Sequence, residues 1–174
     1  EKGVTRIYDI LFDYEDVLME TDRRLRKILV RPEFQKEMGT REFYHHLGKV
    51  MNEFEEKNRL GEVSIIAAAY RNGIPVFTSS PGDSTIGMNV AGLELLAEAA
   101  GLRNRFQLKI NPSIDVNDST AIILNAKLYE HGKTGVILIG GGSPKNFMLQ
   151  TEPQIQEVLM IPEVGQDYDI NVTD

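Results

Sequence analysis

The sequence predicts an α/β fold of the Rossmann-like, doubly wound type, in which helices cover both faces of a mainly parallel sheet. After Gly61, segments with helical spacing alternate with short β-prone segments, as in a parallel α/β sheet. Residues 135–139 form a continuous apolar run with three β-branched residues, typical of a central parallel strand covered on both faces. Loops of small residues follow two of the predicted strands, where open α/β sheets bind ligands.

The first part of the chain predicts a strand and two helices. Residues 4–12 are apolar and β-prone, which predicts a short strand or an extended lead-in. Residues 14–30 place apolar side chains at helical spacing, and Pro32 ends that helix. Residues 40–57 carry an i, i+3, i+4, i+7 apolar stripe that predicts a second helix.

The middle of the chain predicts the first of the two ligand-binding loops. A compact apolar helix over residues 63–70 is followed by a short buried strand over 74–78. The next loop, residues 79–83, consists of small residues and ends in Asp83; it is called the Asp83 loop below. A helix over 85–100 follows, and residues 108–114 contain a further strand or extended segment.

The last part of the chain predicts the second loop. A helix over residues 115–131 precedes the strand at 135–139, which leads directly into Gly140-Gly141-Gly142, called the glycine triplet below. Residues 148–160 are predicted to be helical with an interruption near Pro153, and 167–172 form a final strand.

The composition limits the classes of function. The 174 residues suit one domain, and 41% apolar residues suffice for a core. A net charge of −7, with Asp and Glu spread along the chain, argues against binding to nucleic acid or to an anionic membrane, because both need clustered Lys and Arg. The same acidity is explained by plain solubility or by attraction of a cationic substrate such as a polyamine.

The residue types also bear on location. The absence of cysteine excludes disulfides and thiolate chemistry and suits a reducing cytoplasm. No apolar run approaches the roughly 20 residues that span a bilayer. The first residue is Glu1, with no initiator Met, so we expect the chain to be part of a longer protein.

The glycine triplet leaves two interpretations open. Three consecutive glycines let a ligand approach the backbone closely and permit positive φ. They do not have the Gly-x-Gly-x-x-Gly spacing of the common dinucleotide motif, so a tight structural turn explains them as well as nucleotide contact does.

Asp83 and Lys145 each have a structural and a functional interpretation. Asp83 precedes a predicted helix, so it suits a helix N-cap, which is favoured, or an acceptor for ribose hydroxyls. Lys145, three residues after the glycine triplet, suits an exposed lysine better than a phosphate ligand or an imine-forming amine.

The histidines do not suggest a metal site. His45 and His46 are adjacent in a predicted helix, where neighbouring side chains point about 100° apart and cannot share a metal. His131 lies at a helix C-terminus, where a cation is favourable. We expect no metal.

Several stretches together resemble the deoxyhypusine synthase family. They are residues 68–77 (AAYRNGIPVF), 80–87 (SPGDSTIG) and 134–142 (TGVILIGGG), with 5–9 (TRIYD) and 165–169 (GQDYD) fitting as well. The resemblance covers nearly the whole chain in the family's order. It implies that residues 1–174 form one NAD-binding-type domain that lacks N- and C-terminal parts of the family fold.

The resemblance also implies an activity. Family members are homotetramers with active sites between paired subunits, and they use NAD to oxidise spermidine. A 4-aminobutyl group is held on an enzyme lysine as an imine and passed to a lysine of the hypusine-carrying translation factor, or in some relatives to putrescine. The family's lysine belongs to a Trp-Gly-Lys motif past the last strand. This sequence has no Trp, so the resemblance places that lysine beyond Asp174 and not at Lys145.

Site residues follow from the same resemblance. Asp83 matches the aspartate that contacts the NAD ribose, and Thr85 stands where the family has a serine beside the cofactor. Gly141, with Gly140 and Gly142 around it, matches a cofactor-contacting glycine. Thr173 and Asp174 lie where the chain again meets NAD.

Two positions depart from the family pattern. Met88 stands where eukaryotic members have a polyamine-binding aspartate, and Asn146 stands where they have a substrate-contacting histidine. Polyamine recognition is then altered, or Asn146 replaces the histidine only as a hydrogen-bonding group. A catalytically inactive relative that binds NAD or polyamine, or a different Rossmann-like protein that shares only the loop pattern, remains an alternative.

Overall fold

The structure, a computed structural model, describes residues 3–172 and confirms a mixed α/β fold. The strands are β1 (Val4–Ile7), β2 (Ile10–Asp13), β3 (Glu37–Met38), β4 (Lys109–Ile110), β5 (Gly135–Ile139) and β6 (Tyr168–Val172). The helices are α1 (Glu20–Leu29), α2 (Thr40–Asn58), α3 (Ile65–Arg71), α4 (Thr85–Ala99), α5 (Pro112–Leu124), α6 (Ser143–Leu149) and α7 (Thr151–Pro153). Turns of π-helix precede α1 at Tyr14–Met19 and follow α5 at Asn125–Tyr129 and α7 at Gln154–Val158.

The strands pair two by two. β1 and β2 form an antiparallel hairpin, where a single strand or lead-in was predicted. β3 pairs with β4 and β5 pairs with β6, both in parallel. Within residues 3–172 these three pairs do not join into one sheet, so the predicted doubly wound sheet is not confirmed.

Residues 74–78 are not part of any sheet in the described part of the chain, and the prediction of a buried strand there is wrong. Ile74 is 60% exposed, and its N–H donates back to the end of α3 at 2.9 Å. Pro75 has no N–H to offer a ladder. The N–H of Thr78 donates to the side chain of Thr40 at 2.9 Å. The backbone N–H groups at both ends of the segment are therefore hydrogen-bonded to helices and not to another strand.

In the sheet formed by β5 and β6, only alternate residues of β5 are buried and β6 is exposed along its whole length, so the prediction that both faces are covered is wrong for the described residues. Val136 and Leu138 are buried, whereas Ile137 is 66% and Ile139 81% exposed. In the register of the pair, the exposed side chains of β5 lie beside exposed side chains of β6. These are Tyr168, Ile170 and Val172.

The hydrophobic core lies between α1, α2, α4 and the chain around β3 and β4. Leu29, Phe34, Met38 and Leu108 are almost completely inaccessible to solvent. The rings of Phe34 and Phe43 meet edge to face, with their centroids 5.4 Å apart. This core fixes α2 and α4, the helix that follows the Asp83 loop.

Two helices begin earlier than predicted, and both carry proline in the first turn. α5 begins at Pro112 and not at residue 115, and α6 begins at Ser143, with Pro144 next, and not near residue 148. Proline fits the first turn because its missing N–H has no partner there. The predicted interruption near Pro153 lies instead at Gln150, and Pro153 is in the first turn of α7, where it fits for the same reason. None of the helices described is both long and apolar enough to cross a membrane.

Candidate functional site

The Asp83 loop and the glycine triplet lie side by side. The Oγ atoms of Ser79, in the Asp83 loop, and Ser143, immediately after the triplet, are 2.8 Å apart and hydrogen-bonded. The two loops are also joined by a contact between Phe77, shortly before the Asp83 loop, and Phe147 in α6, whose ring centroids are 5.9 Å apart. Two loops that are 64 residues apart in the chain therefore form one surface at the carboxyl end of β5.

The backbone of the glycine triplet is exposed and left-handed. Gly140 has φ 64° and Gly141 has φ 69°, a region that residues with a Cβ rarely adopt. The N–H of Gly140 donates to the carbonyl of Val172 at 3.2 Å, which extends the β5–β6 ladder by one residue. A Cβ built at Gly140 or Gly142 would meet no atom within 4 Å. The space above the triplet is thus open to a ligand.

Asp83 is exposed and does not cap α4. Its neighbour Ser84 is the N-cap, and the Ser84 Oγ accepts the N–H of Gly87 at 3.1 Å. The favoured capping interpretation of Asp83 is therefore wrong. Asp83 ends a short 3₁₀ turn in which its own N–H donates to the Ser80 carbonyl at 3.1 Å. Its carboxylate makes no hydrogen bond to any other described residue and is free to accept one from a ligand.

Thr85 and Met88 lie on the first turn of α4 and line one end of a groove. Thr85 is exposed, and Met88 is 61% exposed. The groove runs between α1, α2 and the start of α4, has a volume of about 1060 Å³ and is lined mainly by apolar side chains. Arg26 on α1 reaches this end of it and donates to Asn89 Oδ1 at 2.6 Å. The side-chain amide of Asn89 in turn donates to Asp22 Oδ1 at 2.9 Å, so a cation and a carboxylate both lie beside the residue that follows Met88.

The remaining predicted residues lie on α6 or outside the described part. Asn146 is exposed on α6, and its N–H donates to the Gly142 carbonyl at 2.9 Å. Lys145 is half-buried beside it. Thr173 and Asp174 lie outside the described residues, and Val172, the last residue described, pairs with Gly140.

Sequence reasoning missed Ser79, Ser143, Phe77 and Phe147, which join the two loops. Each pair consists of one residue in or next to the Asp83 loop and one in α6. The sequence holds one weak signal for these contacts, because a serine and a phenylalanine occur in or near each loop. The residues around each loop do not indicate that the two loops lie against each other.

The histidines are used in packing. The ring of His45 packs at an inclination against Tyr70 with centroids 5.0 Å apart, and His46 lies edge-on to Phe34 at 5.6 Å. Among residues 3–172, no group of three or more His, Asp and Glu side chains is arranged to hold a metal ion.

A buried charge cluster lies at the opposite, amino end of β5. Lys127 forms ion pairs with Glu163 and, at 3.7 Å, with Asp167, whose other contact is the Thr134 N–H at 2.8 Å. Both carboxyl oxygens of Glu152 are buried without a hydrogen-bond partner among the described residues. Burial, reinforced by the Glu163 carboxylate, raises the pKa of Glu152 to about 7. Burial opposes ionisation of Glu163 too, but the neighbouring Glu152, the ion pair with Lys127 and the Gly165 N–H, which donates to Glu163 at 2.8 Å, outweigh it and lower the pKa of Glu163.

Comparison with known proteins gives a consistent result. A family model described as deoxyhypusine synthase matches residues 1–174. A deoxyhypusine synthase-like protein of Nostoc sp. is 51% identical over 174 residues, which are 100% of this chain and 43% of that protein. A probable deoxyhypusine synthase 2 of Methanosarcina acetivorans is 34% identical over 178 residues, 99% of this chain and 44% of that protein. The chain thus spans less than half the length of these relatives.

Proposed function

The chain belongs to the deoxyhypusine synthase family, and we propose that it supplies one wall of the NAD site of an enzyme that transfers a 4-aminobutyl group from spermidine to a lysine of the hypusine-carrying translation factor. The observation that supports this most directly is the contact between the Asp83 loop and the glycine triplet through Ser79 and Ser143. It brings a free carboxylate and an open glycine backbone to the same end of β5, where α/β proteins bind nucleotides.

Each proposed cofactor contact has a physical basis. The bound nicotinamide would accept a hydride from the carbon beside a secondary amine of spermidine, and the protein positions the two. The Asp83 carboxylate is proposed to accept hydrogen bonds from the ribose hydroxyls. Gly140, Gly141 and Gly142 allow the cofactor to approach the backbone without a Cβ in the way. The Thr85 hydroxyl is exposed at the start of α4, next to Asp83, and is proposed to contact the cofactor.

Thr173 and Asp174 complete the proposed cofactor set, because they directly follow Val172, which is hydrogen-bonded to Gly140. Met88 and Asn146 are proposed to border the polyamine. The Asn146 amide offers a neutral acceptor and donor, and the Met88 thioether offers no charge to an ammonium group.

Met88 also bears on the alternative functions. Transfer of the group to putrescine, which the family resemblance implies for some relatives, is the second candidate, and Met88 does not separate it from the first because spermidine is the donor in both. A thioether in place of a carboxylate weakens the attraction for an ammonium group in either case, which favours the third candidate, an inactive relative that binds NAD or polyamine.

We further propose that residues 1–174 form one NAD-binding-type domain of a cytoplasmic homotetramer. In the intact protein, β5 and β6 would belong to a Rossmann-like doubly wound sheet. The uncovered apolar face of β5 and β6 supports further packing on that sheet, since large apolar patches rarely stay exposed.

NAD titration of the purified protein tests the cofactor site. Asp83→Ala should weaken NAD binding about tenfold or more, because a hydrogen bond to a carboxylate contributes roughly 1.5–3 kcal/mol. Asp9→Ala, at an exposed turn in the hairpin, is the matched control and should bind as the wild type does. Equal NAD affinity of Asp83→Ala and the wild type would remove the ribose assignment.

The transfer itself is tested with the intact protein, spermidine and NAD. The translation factor is supplied as acceptor in one reaction and putrescine in the other. A mass increase of the factor by one aminobutyl group supports the first function, and formation of homospermidine supports the second. Binding of NAD with neither product points to the inactive relative.

A further inference from the structure

Two side chains of α2 form hydrogen bonds with Thr78, the residue that precedes the Asp83 loop. The N–H of Thr78 donates to Thr40 Oγ1 at 2.9 Å, and the Thr78 hydroxyl donates to the Tyr44 hydroxyl at 2.7 Å. Thr40 and Tyr44 are four residues apart and therefore lie on the same face of α2. Thr78 immediately precedes Ser79, whose hydroxyl bonds to Ser143. One residue thus connects α2 to the surface shared by the two loops.

The first turn of α2 is itself fixed in place. The Asp115 side chain is 1% exposed, and its two oxygens accept the N–H groups of Thr40 at 2.8 Å and Arg41 at 3.1 Å. The Tyr44 ring packs at right angles to Phe43, with centroids 5.5 Å apart. Thr78 is therefore bonded to groups that are anchored in the core and at the cap of α2.

These bonds are important because residues 74–78 belong to no sheet within the described part of the chain. In a paired strand, ladder hydrogen bonds would set the position of the segment and of the loop after it. Here Pro75 has no N–H, and the donors of Thr78 are both used by α2. The two bonds from α2 take the place of a ladder.

We propose that Thr40 and Tyr44 are positioning residues: by holding Thr78, they keep the Asp83 loop beside the glycine triplet in the geometry that binds the cofactor. The identity of the cofactor rests on the proposed function, but the positioning does not. Neither side chain is required to touch the ligand.

Variants that remove single hydroxyl groups test the proposal in the intact protein. Tyr44→Phe removes the acceptor for the Thr78 hydroxyl, and Thr40→Val removes the acceptor for its N–H. Thr40→Ser retains that acceptor and should restore wild-type behaviour. Tyr70→Phe is the matched control, because Tyr70 stacks on His45 and has no bond to Thr78.

Amide hydrogen exchange of the peptide covering residues 79–84 is the first measurement, and NAD titration is the second. Tyr44→Phe and Thr40→Val should each speed exchange in this peptide, and raise the dissociation constant for NAD, about fivefold, as expected for one lost hydrogen bond. Exchange in the core helices and the urea midpoint should stay near the values of Tyr70→Phe.

The outcomes separate the two proposals. Unchanged exchange in residues 79–84 of Tyr44→Phe and Thr40→Val overturns the positioning role, and so does faster exchange throughout the protein. If the wild type does not bind NAD, the proposed function fails, and the exchange data still decide the positioning role. If Asp83→Ala loses NAD while Tyr44→Phe binds it normally, the cofactor site stands and the positioning role does not.

Discussion

Replacement of Glu152 by glutamine should change how the stability of the protein depends on pH. The carboxyl group of Glu152 is buried near Glu163, Lys127 and Asp167, and its pKa is raised from 4.5 to about 7. A raised pKa means that the folded state keeps a proton that the unfolded chain releases. The stabilisation from this proton is complete below pH 4.5 and is lost as the pH rises through about 7.

The size of the effect follows from the two pKa values of Glu152. Each pH unit in this window lowers the free energy of unfolding by about 1.4 kcal/mol. Between pH 5 and pH 8, the wild type should therefore lose about 2–3 kcal/mol through this residue. The lowered pKa of Glu163 acts below pH 4.5, where stability falls as the pH drops, and so leaves the window unaffected. Glutamine mimics the protonated carboxyl and does not titrate.

Urea unfolding at pH 5, 6, 7 and 8 measures the effect. The difference in unfolding free energy between Glu152→Gln and the wild type should shift by about 2–3 kcal/mol in favour of the variant from pH 5 to pH 8. Glu130→Gln, at an exposed position after α5, serves as control and should follow the wild-type profile. Parallel profiles for Glu152→Gln and the wild type would refute the reasoning.

Two further predictions concern glycines. Gly140→Ala should lower the free energy of unfolding by about 1–2 kcal/mol, because its φ of 64° is left-handed, and should also weaken NAD binding. Gly142→Ala, in equally open space without positive φ, should change stability by less than about 0.5 kcal/mol; equal losses in these two variants would contradict the backbone argument. Gly39→Ala would place a Cβ 2.6 Å from Asp115 Oδ1, so it should destabilise the fold by about 2–4 kcal/mol in urea unfolding. Gly92→Ala, with no atom within 4 Å inside α4, should instead stabilise it by about 0.5–1 kcal/mol, and similar losses for Gly39→Ala and Gly92→Ala would argue against a clash.

Local patterns sufficed where local forces decide the structure. The apolar stripe over residues 40–57 predicted α2, observed as Thr40–Asn58, and the apolar run at 135–139 predicted β5 with its observed bounds. Residues 74–78 have the same β-prone composition, yet they form no strand in the described part of the chain. A strand needs a partner as well as propensity, and the composition of a segment does not specify whether its partner is present.

The same distinction applies to the candidate site. Asp83 was predicted to cap α4, but serine caps a helix as well as aspartate does, and the Ser84 bond to the Gly87 N–H shows that Ser84 has that role. The meeting of the two loops depends on Ser79 and Ser143, which are 64 residues apart. Contacts at that separation are set by the packing of helices and strands, which no local pattern records.

The uncovered face of β5 and β6 has a practical consequence for anyone who handles the protein. Strongly excluded salts such as sulfate and phosphate favour removal of apolar surface from water, whereas low concentrations of urea oppose it. Within the described residues, the outer edges of both strands are also unpaired, and unpaired edges attract further strands. Preparations that leave this face open should therefore precipitate in ammonium sulfate at low saturation and remain dispersed in dilute urea.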